Sequence, residues 1–64
     1  MTQKELLYVE DAIKHEKNII DILCFMSENC KNESTCTFGE KEIKKHEIIL
    51  EKLNGLLEDK ANEW

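Results

Sequence analysis

The chain has no proline and no arginine, and only two of its 64 residues are glycine, Gly39 and Gly55. Lack of proline and scarcity of glycine suit long helices and argue against sheets built on tight turns. Lack of arginine removes the planar fork that clamps phosphate or carboxylate with two parallel hydrogen bonds. Positive charge is in deficit, with a formal net charge of -5. That balance disfavours nucleic acid and anionic membrane surfaces, which both want a basic face. No apolar run approaches the length of a membrane span. The N-terminus is charged and lacks the apolar core of a secretory signal, which places the expected location in the cytoplasm. No glycine-rich phosphate loop is present, and neither Ser27 nor Ser34 has a nucleophile's setting, so hydrolase and kinase chemistry find no support.

What is present is leucine, isoleucine, glutamate and lysine in helical order. Thr2-Gln3-Lys4-Glu5 has the Thr-x-x-Glu form of a capping box, and Thr37-Phe38-Gly39-Glu40 repeats it. In such a box the threonine hydroxyl accepts from the third helical N–H while the glutamate reaches back to the cap. A polar stretch from Ser27 to Cys36 separates the two signatures and reads as a connection. The pattern predicts one domain over residues 1–64, with a helix over about 3–28, a loop over about 29–37 and a helix over about 38–60.

The first stripe runs Leu6, Val9, Ile13, Glu16, Ile20, Leu23, widened by Ala12, Ile19 and Met26. The second runs Ile43, His46, Leu50, Leu53, Leu57, widened by Ile49 and Leu56. Both follow the three-four alternation of helices that pack side by side. A short connection between long helices makes them antiparallel neighbours. The expected fold is therefore all-α, an antiparallel helical hairpin. Tyr8, Ile22, Phe25 and Ile48 add apolar surface outside the narrow seam. A second copy of the hairpin is expected to cover it, giving a homodimeric four-helix bundle. Trp64 is expected to be a mobile terminus.

Glu16 and His46 interrupt the two apolar stripes; around a bend near Glu33 they lie on facing helices about one turn out of register, within reach across the seam. Carboxylate oxygen and imidazole nitrogen are ligands for iron, manganese or zinc, and Glu42, one turn before His46, is the natural third donor. The other reading is a hydrogen-bonded pair that sets helix register without metal. His15 points away from the seam and reads as a rim residue or an outer partner of such a metal. Cys24, Cys30 and Cys36 recur every six residues, which is not a zinc-ribbon spacing. Cys24 reads as a buried thiol. Cys30 and Cys36 flank the connection: in an oxidising compartment they form a disulfide or redox pair that staples it, and in a reducing cytosol they stay free.

The opening Lys4-Glu5-Leu6-Leu7-Tyr8-Val9-Glu10-Asp11-Ala12-Ile13, followed by His15-Glu16-Lys17, resembles a group of short clostridial proteins similar to spore coat proteins of the Coat F type. Lys45-His46 followed by Ile49, Leu53 and Leu56-Leu57 resembles their closing segment. The resemblance implies a ferritin-like helical hairpin, spore association and a structural or assembly role. Ferritin-like di-iron sites take a Glu from one helix and a Glu-x-x-His pair from another. Ile43 stands three before His46, where that pattern has Glu. Three functions follow as expectations: a non-enzymatic self-associating helical protein, a metal-binding protein using Glu16, His46 and Glu42, and a small acidic regulator that binds a basic protein partner.

Overall fold

The computed structural model describes residues 1–61, with side-chain environments through Glu58. Trp64 lies outside the described residues. Helix α1 spans Gln3–Asn29 and helix α2 spans Glu33–Ala61, and they pack as an antiparallel hairpin. The result is a rod of 49 × 15 × 11 Å.

The start of α1 is the one its sequence dictates. Thr2 stays extended, its Oγ1 accepts from the Glu5 N–H at 3.1 Å, and Glu5 Oε1 accepts from the Thr2 N–H at 2.9 Å. These bonds satisfy donors that a bare helix end leaves orphaned. They also hold the Glu5 carboxyl below the ordinary carboxylate value.

The connection is shorter than the composition suggests. It was expected over about 29–37, yet only Cys30, Lys31 and Asn32 lie between the helices. Helix α2 begins at Glu33, five residues before the expected start at Phe38. Asn32 is the reason: its Oδ1 accepts from the Ser34 N–H at 2.8 Å and the Thr35 N–H at 3.4 Å. Asparagine is among the best N-cap residues, and with Cys36 joined to Cys30 it is the cap in use. Thr37 and Glu40 consequently stand inside the helix. A disulfide between Cys30 and Cys36, with Cα atoms 5.7 Å apart, ties the first turn of α2 back to the end of α1. Asn29 closes α1 by donating its side-chain N–H to the Phe25 carbonyl at 2.8 Å.

The seam holds the expected residues. Leu6, Val9, Ile13, Glu16, Ile20 and Leu23 of α1 and Ile43, His46, Leu50, Leu53 and Leu57 of α2 are all shielded at least in part. Among the described residues Ile13, at 8% exposure, is the one buried hydrophobic side chain. One hairpin shields its seam from one side alone, so most apolar side chains keep part of their surface in water.

Near the bend the helices pack tightly at Gly39, which is buried. A Cβ at this position would overlap Ser27 Oγ and sit 2.9 Å from Met26 Cε. Glycine is required by the neighbouring helix, since the residue itself is ordinary helix. Ser27 Oγ is buried against it with no hydrogen-bond partner among the described residues.

Candidate functional site

The polar interruption of the two stripes forms a direct contact. His46 Nδ1 lies 2.6 Å from Glu16 Oε2, bridging residues thirty apart in sequence. The two side chains keep only 20% and 16% of their exposure. Glu42, one turn earlier on α2, approaches the other ring nitrogen, with Oε1 4.0 Å from Nε2. The imidazole therefore stands between two carboxylates that address opposite edges of the ring. A charge or dipole so shielded is tolerated when paired, and the Glu16 bond supplies the pairing.

This arrangement is well suited to fixing register. Sliding α1 along α2 by one turn would strand a carboxylate and an imidazole against aliphatic neighbours. For metal the fit is incomplete. Glu16 occupies Nδ1, Glu42 faces Nε2, and the two oxygens do not converge on one point. Among the described residues no three His, Cys, Asp or Glu side chains gather into a metal cluster. An ion on Nε2 and Glu42 would need further donors from another molecule. His15 is exposed, away from this pair.

The larger feature is a face. Alongside the seam, α1 carries a second row: Tyr8, Ala12, His15, Ile19, Ile22 and Met26, again in three-four alternation. Helix α2 carries a parallel row at Phe38, Glu42, Lys45, Ile49, Lys52 and Leu56. At about 100° per residue, each row lies roughly a quarter turn from its own seam, displaced in the same rotational sense along its own chain direction. Antiparallel helices with that shared displacement present both rows on the same side of the hairpin. Tyr8 and Phe38 are each 59% exposed there, and Ile22 is 67% exposed. Sequence inspection finds these residues as scattered apolar surface. Their common side appears only once the helices are antiparallel and in register.

The opposite side is acidic. Glu10, Asp21 and Glu28 of α1 and Glu40, Glu47 and Glu58 of α2 lie there, and all are exposed. Lys17 lies among them, and Lys14 and Lys44 stand one turn from Glu10 and Glu40. One side is thus richer in apolar residues and the other in acidic ones, whereas exposed Leu7, Phe25 and Ile48 lie on the outer surfaces of the helices. Phe25 and Ile48, expected to share one apolar surface with Tyr8 and Ile22, do not stand in its rows. Glu16, His46 and Glu42 lie midway along the rod, on the flank of the seam that turns toward the apolar face.

Nothing more comes from likeness to other chains: no family model, curated protein or solved structure matches this one. No described helix is long and apolar enough to cross a membrane.

Proposed function

We propose that the chain is a non-enzymatic helical building block that pairs with a second copy of itself through the face of Tyr8, Ile19, Ile22, Phe38, Ile49 and Leu56. The observation that carries this reading is the face's own symmetry. It has a polar centre around Glu16 and His46 and apolar ends, with Tyr8 and Leu56 at one and Ile22, Met26 and Phe38 at the other. A two-fold axis through the middle lays polar centre on polar centre and apolar end on apolar end. The acidic opposite side repels its own copy, which favours pairing through this face over that one.

Area supports the same conclusion. The chain exposes 5075 Å². A compact monomer of 7.5 kDa would expose roughly 4,200 Å². The excess, roughly 800 Å², is about one partner's share of a standard interface. Covering it would complete the burial that a single hairpin leaves unfinished. The dimer would be a four-helix bundle, and the resemblance to small Coat F-type proteins favours an assembly role for it, with spore association as the setting.

Sedimentation equilibrium tests the pairing. The protein is expected to run as a dimer at micromolar concentration, and Ile19→Glu with Ile22→Glu is expected to return it to a monomer. A monomer at several hundred micromolar, with its apolar face open, would refute self-association. One observation favours a second reading, the acidic side. A regulator using that side would bind a basic protein with an affinity that falls steeply with salt.

A further inference from the structure

The connection contains two competing starts for the same helix. One is Asn32, which caps α2 at Glu33. The other is Thr37-Phe38-Gly39-Glu40, a complete capping box that lies unused inside the helix. Between them are Glu33, Ser34, Thr35 and Cys36. Serine, threonine and cysteine are mediocre helix formers, and serine and threonine compete for backbone hydrogen bonds. The one covalent constraint on this turn is the bond from Cys36 to Cys30, immediately beyond the end of α1.

We infer that the Cys30–Cys36 pair is a thiol–disulfide latch that selects between the two caps and so tunes the apolar face. Oxidised, the latch holds Cys36 against the end of α1, and the first turn forms on Asn32. Reduced, the turn loses its tether and the start of α2 moves to Phe38 under Thr37 and Glu40. The connection then lengthens from three residues to about eight. Phe38 would change from a residue held inside a helix to the first residue of one. Phe38 stands at the bend end of the apolar face, on the same side of the hairpin as Ile22 and Met26, so reduction loosens that end.

The chemistry needs a small thiol as co-reactant. A thiolate attacks one of the two sulfurs, forming a mixed disulfide and releasing the other cysteine as thiolate. A second small thiolate attacks the outer sulfur of the mixed disulfide. The products are two protein thiols and one small-molecule disulfide, with the protons supplied by the two small thiols. Both cysteines are part-exposed, which gives the attacking thiol access. Oxidation reverses each step with the small-molecule disulfide as acceptor.

The effect on the face rests on the dimer reading, whereas the choice of cap does not. Amide hydrogen exchange on the full chain separates them, in a Cys24→Ala background that removes the remaining thiol. The amides of Cys36, Thr37 and Phe38 are expected to exchange at least about tenfold faster with the pair reduced by dithiothreitol than with it oxidised. The caps should show crossed dependence. Asn32→Ala is expected to lower the denaturation midpoint of the oxidised protein with little effect on the reduced one, and Thr37→Val the reverse. A Cys30→Ser, Cys36→Ser variant should copy the reduced pattern, and its circular dichroism shows whether both helices persist. Equal protection of those amides in the two redox forms, or equal cap sensitivity, overturns the latch. If the latch holds, the dimer constant should weaken about tenfold on reduction. Monomer in both forms would refute the dimer while leaving the choice of cap standing.

Discussion

Replacing Gly39 with alanine tests the close approach of the two helices. On an isolated helix the change should stabilise, because alanine is favoured over glycine by about 1 kcal/mol in a helix interior. Here the added methyl meets Ser27 Oγ at overlapping distance and Met26 Cε at 2.9 Å. The methionine end moves cheaply, since its chain is long and flexible. The serine oxygen is one bond from Cβ and cannot yield in that way. Overpacking of this kind costs roughly 1–3 kcal/mol. The net expectation for Gly39→Ala is therefore a loss of about 1 kcal/mol. Removing the hydroxyl changes the sign. In a Ser27→Ala background the nearest fixed atom is the residue-27 Cβ at 3.7 Å, an ordinary contact. There Gly39→Ala should stabilise by about 1 kcal/mol, giving a coupling of about 2 kcal/mol across the pair. Urea denaturation of the four proteins of the cycle, at one protein concentration, measures it. Equal stabilisation by Gly39→Ala in both backgrounds would refute the close approach, because the methyl would then meet nothing.

His46→Leu should destabilise the hairpin by about 1–2 kcal/mol, since it leaves the half-buried Glu16 carboxylate without its partner. Adding Glu16→Leu should restore the loss, and thermal denaturation showing no recovery in the double variant would deny that the pair is a unit. The start of α1 carries a pH dependence of defined sign. The Thr2 bonds lower the Glu5 pKa in the folded chain, so their contribution is present above the unfolded carboxylate value and disappears as pH falls through the lowered one. The protection factor of the Glu5 amide should fall across that acidic window, and Thr2→Val, which removes the hydroxyl acceptor but keeps the Thr2 N–H bond to Glu5, should weaken the pH response without abolishing it.

The two helices were legible because their cause is local and repetitive. A three-four alternation of Leu, Ile and Val, a Thr-x-x-Glu box at Thr2 and the lack of proline each point to the same element. The contact of Glu16 with His46 was legible in part: a bend near Glu33 sets the two polar breaks about one turn out of register, and the earlier bend between the helices brings them level. The start of α2 was not legible in the same way. Asn32, Ser34 and Thr35 have the composition of a loop, and the same residues make an excellent cap. Local sequence offers both Asn32 and Thr37 with no term to rank them. The pairing of Cys30 with Cys36, six residues apart, is what accompanies the earlier start.

By itself the sequence determined the class of fold: two amphipathic rods, one polar break in each, and an acidic net balance. Helical periodicity is a property of neighbours along the chain, and it can be read there. Only the tertiary structure decided which outer residues share a side. Tyr8, Ile22 and Phe38 become one face because antiparallel packing turns two rows toward the same direction. The close approach that requires Gly39, and the carboxylates set on opposite edges of the His46 ring, depend likewise on the distance and register between helices, which no single helix encodes.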